Sequence, residues 1–154
     1  MRLHEPPKYV CPFCAVVAGR ETTYNAQDDV VFRGERTTAL VSPKWWDAAP
    51  GHVIVVPNEH VENVYEIDDG LLGAVYQTAK EVAFALRAVH DCEGTSMRQH
   101  NEPGGGQDVW HFHVHVFPRS TDDALYERNG EARWASNSER ASLARRVRAA
   151  LESN

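Results

Sequence analysis

Three of the eight histidines in the chain, His111, His113 and His115, stand at alternate positions in the segment WHFHVHVFPR (residues 110–119). Aromatic or β-branched residues separate them, and this period of two predicts a half-buried strand that ends at Pro118. Successive side chains of a strand point to opposite faces, so the three imidazoles share one face and the apolar residues face the core. Imidazole can bind a metal, attack as a nucleophile or carry a proton near neutral pH, so this face is the first candidate for chemistry.

Three interpretations of the histidine face are open. A row of incidental, solvated histidines is the weakest, because three imidazoles stand in register beside the glycine-rich loop 104–106. A catalytic zinc held by all three imidazoles would need its own open coordination position. A phosphate-handling site would use the imidazoles as a nucleophile and as hydrogen-bond donors. The spacing alone does not decide between the last two.

A second group that could do chemistry is the CPFC segment, which holds Cys11 and Cys14. The chain has three cysteines, an odd number, and nothing in it indicates an oxidising compartment, so a structural disulfide is a poor interpretation. Metal ligation or a redox pair fits better. Cys92 is most simply a lone thiol.

The elements that must position these residues follow from hydrophobic periodicity and turn signals. Leu71–His90 has apolar residues at three- and four-residue spacing behind Asp68 or Asp69, which is typical of a capped amphipathic helix. Cys14–Gly19 is too short to decide between a turn and a helix. Antiparallel hairpins around one long packed helix predict the α+β class. The other predicted elements are strands Val30–Arg33, Thr37–Val41, His52–Val56 and Ser96–His100, the loop Asn101–Gly106, and a terminal helix Ser138–Leu151.

Length and charge narrow the function further. With 154 residues, 42% of them hydrophobic, the chain fits a single domain, 1–154. No apolar run approaches the roughly 18 residues that span a bilayer, and no signal-peptide pattern opens the sequence, so we expect a cytoplasmic protein without a membrane partner. A net charge of −6 argues against binding a nucleic acid polymer, whereas a small anion needs only a local pocket of donors.

The segment GGGQDVWHFHVHVFPR (104–119), with RQHNEP (98–103) before it and PGHVIVVP (50–57) far upstream, resembles the histidine triad (HIT) superfamily of nucleotide hydrolases and transferases. The resemblance joins the histidine strand, the Gly-Gln pair four residues before it, and a Gly-His strand followed by Pro-x-x-His. It covers about residues 11–119 and leaves 120–154 as a C-terminal helical extension. It implies a HIT-like fold, an antiparallel sheet packed by one long helix.

The resemblance also implies catalytic roles. His113 matches the nucleophile that attacks the α-phosphorus of a nucleotide and forms a transient nucleotidyl-imidazole. In the resembled enzymes a backbone carbonyl on the same strand fixes the tautomer of this imidazole, which leaves its other nitrogen free to attack. His115 and His52 match imidazoles that flank the phosphate. Gln107 and Asn101 match polar donors toward the phosphate or the bridging oxygen. The competing interpretations are that Gln107 closes a hairpin and that Asn101 caps the turn at Pro103 and Gly104.

Four further positions are candidates for substrate binding. Phe13 and Leu40 are candidates for apolar surface against the base, and packing in the core is an equally good interpretation of Leu40. Ser42 stands where many relatives have an aspartate that binds the ribose hydroxyls. Asp108 departs from the family pattern, since many relatives carry a small hydroxyl residue there. An acidic group at this point either repels a polyphosphate or manages the proton of the leaving group.

By the same resemblance, Cys11 and Cys14 join His60 and His111 around a structural zinc ion. Two thiolates and two imidazoles suit a closed tetrahedral site with no position left for water. His111 would then brace the strand and leave His113 for attack. The competing interpretation is a pair of ordinary buried thiols beside a surface histidine. The resemblance further implies a homodimer to which the long helix contributes.

The function implied is a nucleotide hydrolase acting at the α-phosphate of an adenosine-like nucleotide, through a covalent nucleotidyl-histidine. The substrate would be a dinucleoside polyphosphate or a nucleoside phosphoramidate. The segment HNEPGGGQDVWHFHVHVFPR (100–119) is similar in sequence to the corresponding segment of bacterial HIT proteins labelled diadenosine-tetraphosphate hydrolases. Two alternatives stay open: a nucleotide-binding regulatory protein with weak or vestigial catalysis, and a nucleotidyl transferase.

Overall fold

The computed structural model describes residues 2–153. Helices and strands alternate with short 3₁₀ turns along the chain. The predicted α+β class is confirmed, and Cys14–Gly19, which the sequence left undecided between a turn and a helix, lies largely in a short helix that begins at Pro12. The helices are α1 (Pro12–Val17), α2 (Asp69–His90) and α3 (Asn137–Glu152), and the strands are β1 (Val30–Arg33), β2 (Thr37–Val41), β3 (Lys44–Trp45), β4 (Val53–Pro57), β5 (Gly94–Gln99), β6 (Val114–Arg119) and β7 (Arg133–Trp134).

Five strands form one antiparallel sheet in the order β1-β2-β4-β6-β5. The predicted hairpin of β1 and β2 is confirmed, and the backbone N–H of Gly34 donates to the carbonyl of Thr37 across the turn. The predicted strand before the long helix is displaced by one residue and ends at Pro57. The two strands β3 and β7 form a separate small sheet.

Helix α2 covers one face of the sheet. Asp68 caps its N-terminus by accepting from the N–H of Leu71, as the sequence predicted, and Asp91 ends it in the left-handed conformation at φ 49°. The apolar stripe of the helix packs on the inward side chains of the sheet, among them Phe112, Val114 and Val116. The residues between the histidines therefore belong to the core, and the imidazoles project from the opposite face.

The regular part of the histidine strand is shorter at its start and longer at its end than the sequence predicts. β6 begins at Val114, so His111 and His113 lie in the extended segment before it. It continues through Pro118, which pairs with Thr95 of β5. Pairing with β4 has already ended at Val116, so the proline lies where β6 has a neighbour on one side only. A missing N–H is tolerated at such a position.

The C-terminal extension is part of the same core. Helix α3 begins at a capping box in which Ser136 and Glu139 each bond the other's backbone N–H. Its buried face, which includes Leu143 and Val147, packs in the cluster formed by α2 and the sheet. A buried ion pair, Arg140 to Asp29 at 3.0 Å, ties the helix to the turn before β1. Within residues 2–153, none of the helices combines the length and the apolarity that crossing a bilayer requires.

Candidate active site and metal cluster

The face of the sheet opposite α2 carries the candidate active site. His115 pairs with Ile54 of β4 on one side and with Arg98 of β5 on the other. His52 directly precedes β4 and stacks on the ring of Phe117, 4.2 Å away. Antiparallel pairing thus brings residues distant in the sequence onto one surface.

His113 is held in a single tautomer. Its Nδ1 donates to the carbonyl oxygen of His111 at 2.7 Å, and a carbonyl can only accept, so the proton is on Nδ1 and Nε2 keeps its lone pair. The side chain is only 2% exposed, and burial lowers its pKa from the usual value of a histidine. A neutral imidazole with a free Nε2 lone pair is the form that can attack phosphorus.

His52 and His115 form a neutral hydrogen-bonded pair. Nε2 of His52 lies 3.1 Å from Nδ1 of His115, and Nδ1 of His52 is buried without a partner. An orphaned buried N–H is costlier than an orphaned acceptor, so the proton of His52 is on Nε2 and donates to His115. His115 then carries its own proton on Nε2. Burial, the charge of Arg98 and the proximity of His113 lower the pKa of His52 to about 3, and the pKa of His115 also lies well below its usual value.

A cavity of about 870 Å³ opens over these imidazoles. Its volume falls within the range typical of small-molecule sites. His52, His113 and His115 line its floor, and the predicted binding residues Phe13, Ser42 and Asp108 line its walls. The C-terminal extension contributes three more wall residues, Tyr126, Asn129 and Trp134.

Asp108 lies at the rim of this cavity. Its carboxylate is 84% exposed, and Oδ1 lies 3.9 Å from Nε2 of His113. The negative charge raises the pKa of His113, but burial outweighs this effect. The carboxylate therefore faces the nitrogen that would attack the substrate.

Gln107 does not face the cavity. Its Nε2 donates to the carbonyls of Glu62 at 2.6 Å and Val109 at 3.0 Å, and its Oε1 accepts from the N–H of Glu102. Both amide hydrogens are thereby used within the protein. These bonds favour the interpretation that Gln107 closes the glycine-rich loop, and its role as a phosphate donor stays a prediction.

Asn101 is similarly occupied, and His100 takes its place at the cavity. The Oδ1 of Asn101 accepts from the N–H of Val64, and its Nδ2 donates to Gln99. His100 lines the cavity instead, and its Nδ1 donates to the carbonyl of Gly105 at 2.6 Å. His100 follows Arg98 by two residues and lies on the same side of the chain, and the role of Asn101 toward the substrate stays a prediction.

Leu40 lies on β2 and Ser42 directly follows this strand, but the two side chains have different surroundings. Leu40 is 0% exposed and packs beneath α1 with Phe13 and Ile54, so it is a core residue and not a wall of the cavity. Ser42 reaches the cavity, although its hydroxyl donates to the carbonyl of Lys44. Helix α1 covers Leu40, which favours its interpretation as a core residue over contact with the substrate.

The residues at this site that the sequence interpretation missed are Arg98, His100 and the aromatic side chains of Tyr24, Tyr126 and Trp134. Tyr24 and Trp134 stack at 4.6 Å between ring centroids at the mouth of the cavity. The alternation of Arg98 and His100 in RQH was the only available signal for the first two. Nothing local indicated that residues beyond 119 would reach the cavity.

The four predicted metal ligands converge beside the histidine segment. The donor atoms of Cys11, Cys14, His60 and His111 all lie within 4.8 Å of one another. The Sγ to Nδ1 separations are 3.3 Å for Cys11 to His111 and 3.2 Å for Cys14 to His60. A tetrahedral zinc ion with ordinary bond lengths separates sulfur and nitrogen ligands by about 3.6 Å.

Both imidazoles of this cluster are oriented from behind. Nε2 of His111 donates to the carbonyl of Pro57 at 2.9 Å, and Nε2 of His60 donates to a carboxylate oxygen of Glu5 at 2.6 Å. Each bond fixes the proton on Nε2 and leaves the Nδ1 lone pair directed at the two thiols, which is the usual support of metal-bound histidine. The donor set and its orientation fit a metal ion.

Comparisons with known proteins agree with this geometry. The family model for the HIT domain matches residues 23–122. Protein hit of Bacillus subtilis is 30% identical over 109 residues, which are 71% of this chain and 70% of that protein. The bis(5'-adenosyl)-triphosphatase of Dictyostelium discoideum is 27% identical over 105 residues, 68% of each chain.

Solved structures share the fold. A zinc-bound histidine triad family protein of Mycobacterium smegmatis superposes with a TM-score of 0.74 at 21% identity, covering 93% of this chain and 94% of the other. The matched domain includes the histidine segment, the strand after His52 and the long helix. The chain therefore belongs to the histidine triad (HIT) family.

Proposed function

We propose that the protein is a nucleotide hydrolase that cleaves at the α-phosphate of an adenosine-like nucleotide, either a dinucleoside polyphosphate or a nucleoside phosphoramidate. The observation that carries the proposal is the 2.7 Å hydrogen bond from Nδ1 of His113 to the carbonyl of His111, which leaves Nε2 as a nucleophile at the cavity. Two relatives that are named for nucleotide activities support it: the triphosphatase of Dictyostelium and the Arabidopsis bis(5'-adenosyl)-triphosphatase/adenylylsulfatase.

The reaction has two displacement steps. In the first, Nε2 of His113 bonds to the α-phosphorus while the bond to the leaving oxygen or nitrogen breaks, and the leaving atom keeps the electron pair. In the second, water attacks the phosphorus and loses a proton, and the bond to His113 breaks. The products are a nucleoside monophosphate, the leaving group and the original neutral imidazole.

Fixed donors stabilise the charge that grows on the phosphoryl oxygens. The Nε2–H of His115 is available for this purpose because His52 occupies its Nδ1. A preorganised donor of this kind contributes on the order of 3 kcal/mol to the transition state. Asp108, close to the attacking nitrogen, is a candidate to receive or return the proton of water or of an amine leaving group.

The test uses a fluorogenic adenosine phosphoramidate and diadenosine triphosphate. Wild type is expected to release AMP from at least one of them, and mass spectrometry of a rapidly quenched reaction to find an adenylyl group on the peptide containing His113. His113→Ala should abolish turnover while AMP binding stays within about an order of magnitude, since the nucleophile acts mainly in the transition state. Saturable binding without AMP release would favour a regulatory nucleotide-binding protein. A new AMP ester or anhydride formed with an added phosphate acceptor would favour a transferase.

We also propose that Cys11, Cys14, His60 and His111 hold a structural zinc ion. Two thiolates and two imidazoles leave no position for water, so the metal would brace the segment that presents His113 and take no part in the reaction. The zinc-bound protein of Mycobacterium smegmatis supports this choice of metal. Free thiols that serve as ligands suit the reducing cytoplasm, which is the compartment we propose.

A homodimer completes the proposal. Tyr76 and Phe84 of α2 are 41% and 56% exposed and lie about two helical turns apart. β5 is an edge strand, and within residues 2–153 no strand pairs with its outer side. An exposed edge beside exposed aromatic rings suits a second copy of the chain. Sedimentation at micromolar concentration should give a dimer that Phe84→Glu dissociates, and a wild-type monomer would contradict the proposal.

A further inference from the structure

Arg98 extends from the edge strand into the cavity. It pairs directly with His115 across β5 and β6, and it lines the same cavity as His52 and His113. Its guanidinium carbon lies 4.7 Å from the ring centroid of Phe117 and 5.7 Å from that of Tyr126. Trp46 forms a third side of this cage at 5.8 Å. Tyr126 belongs to the C-terminal extension, so the extension helps to position the cation.

The guanidinium has no partner in the part of the chain that the structure describes. Within residues 2–153, no carboxylate oxygen lies within 4.0 Å of its nitrogens, and its Nε is buried without a hydrogen bond. Arg119, Arg133 and Arg140, by contrast, each bind a carboxylate. A buried donor without an acceptor destabilises the folded state, and a charged donor does so more strongly. The aromatic rings thus position Arg98 with unused hydrogen-bond donors that can bind an anion entering the cavity.

The neighbours of Arg98 do not neutralise it. His52 and His115 are neutral because their pKa values are lowered, in part by Arg98 itself. Burial lowers the pKa of Arg98 too, but a guanidinium stays protonated at neutral pH. The carboxylate of Asp108 raises the pKa of Arg98, but less than burial lowers it, and it makes no ion pair with the guanidinium. The result is one fixed cation beside two neutral imidazoles on the floor of the cavity.

The position of this cation relative to the nucleophile indicates which anion it meets. The rings of His113 and His115 are 4.9 Å apart, and Arg98 lies directly across from His115. If the α-phosphorus lies at Nε2 of His113, the group bonded to it on the side of His115 extends toward Arg98. A leaving group that departs on this side brings the phosphate next to the broken bond within reach of the guanidinium.

We propose that Arg98 binds a phosphate of the leaving group, so that the preferred substrates are dinucleoside polyphosphates and not phosphoramidates. This inference rests on the proposed hydrolase function. When the bond from the α-phosphorus to the bridging oxygen breaks, the leaving phosphate keeps the electron pair and gains negative charge, which the guanidinium stabilises without transferring a proton. An amine leaving group gains no such charge and needs a proton instead. A planar guanidinium binds phosphate through two parallel hydrogen bonds.

The kinetic test compares two substrates that share the AMP group, diadenosine triphosphate and a fluorogenic adenosine phosphoramidate. Arg98→Met should lower the ratio of their kcat/KM values, triphosphate over phosphoramidate, by about 30-fold or more. Arg98→Lys keeps the charge but loses the paired bonds, so its ratio should lie between those of Arg98→Met and wild type. Arg36→Met removes a surface charge paired with Asp68 and should leave the ratio unchanged. An unchanged ratio in both Arg98 variants would overturn the proposal.

A binding measurement separates this proposal from the proposed function. In the His113→Ala background, calorimetry compares ADP with AMP, and adding Arg98→Met should lower the affinity for ADP at least ten-fold more than that for AMP. If neither substrate is turned over by wild type but this difference is found, the hydrolase proposal fails and the anion site stands. An equal loss for both nucleotides would refute the role of Arg98. Thermal unfolding checks that each variant folds. If Arg98→Met does not fold, both comparisons are made with Arg98→Lys.

Discussion

His52 donates a hydrogen bond from Nε2 to Nδ1 of His115 across 3.1 Å, and this bond determines which nitrogen of His115 faces the cavity. His52 directly precedes β4, His115 lies on the neighbouring strand β6, and the two are 63 positions apart in the sequence. Because His52 donates to Nδ1, the proton of His115 is on Nε2, and this N–H is directed into the cavity. We therefore propose that His52 positions His115 and that its contribution to the proposed reaction passes through that residue.

The first prediction concerns this coupling. His52→Phe keeps a ring against Phe117 but removes the donor, so kcat should fall about ten-fold while KM changes little. His115→Phe should lower kcat further than His52→Phe does. The double variant should be no slower than His115→Phe alone, because the effect of His52 depends on His115. Independent, multiplicative losses in steady-state kinetics would contradict this positioning role.

The second prediction is a pH dependence of stability. The folded-state pKa of His52 is about 3, below its unfolded value of 6.5, so the folded state binds fewer protons and stability falls as the pH drops through this window. Between pH 7 and pH 5 this one group should remove about 2 kcal/mol of the free energy of unfolding. Over the same pH interval, the free energy of unfolding of the His52→Asn variant, measured by urea titration, should fall by about 2 kcal/mol less than that of wild type. Equal losses in the two proteins would show that His52 is protonated without penalty.

The third prediction tests the role of Gln107. Its side chain makes three hydrogen bonds that close the glycine-rich loop, so Gln107→Leu should lower the free energy of unfolding by about 2–3 kcal/mol. The activity should fall because the loop moves, with effects on both kcat and KM. Denaturant unfolding and steady-state kinetics measure the two effects. A variant of wild-type stability with a loss confined to kcat would restore Gln107 as a donor to the transition state.

The sequence predicted those parts of the fold that depend on local pattern. The capped helix after Asp68, the hairpin of β1 and β2 and the terminal helix all follow from periodicity and capping residues that lie close together in the chain. The cysteine and histidine cluster followed from resemblance to a family, since nothing local joins Cys11 to His111 across 100 positions.

The parts that the sequence did not predict depend on register and on distant packing. Whether Asn101 or His100 faces the cavity is decided by the pairing of β5 with β6, and a shift of one residue exchanges the two faces. Leu40 lies on the correct face of the sheet, but α1 covers it. Tyr126 and Trp134 reach the cavity only because the segment that contains β7 and α3 folds back on the domain. The polar composition of this segment does not predict that packing.

The fourth prediction concerns the extension. Arg140 and Asp29 are 4% and 1% exposed, so Arg140→Met leaves a buried carboxylate without its partner and should cost about 3–5 kcal/mol of stability. Asp29→Asn in the same chain removes the stranded charge and should recover part of the loss. Arg128→Met, at an exposed ion pair with Glu131, is the matched control and should change stability by less than about 1 kcal/mol. Thermal unfolding of the three variants measures these differences, and a double variant no more stable than Arg140→Met would argue against the charge as the cause.

The fifth prediction is metal content. If Cys11, Cys14, His60 and His111 close a structural site, purified protein should contain about one zinc ion per chain by elemental analysis. Cys11 and Cys14 should resist alkylation until a chelator is added. Cys92 lies outside the cluster and is half-buried, so it serves as the internal control whose reactivity should not depend on the chelator.

The same experiment distinguishes a structural ion from a catalytic one. Cys14→Ser should lower the unfolding temperature by several degrees while the remaining folded enzyme keeps most of its kcat, because the metal braces the segment before His113 and does not activate water. A catalytic ion predicts the reverse: chelation would stop turnover with little change in the unfolding temperature. Metal-free protein that is fully active and has freely reactive Cys11 and Cys14 would refute the zinc site, and the role proposed for His113 would be unaffected because its tautomer is fixed by the carbonyl of His111.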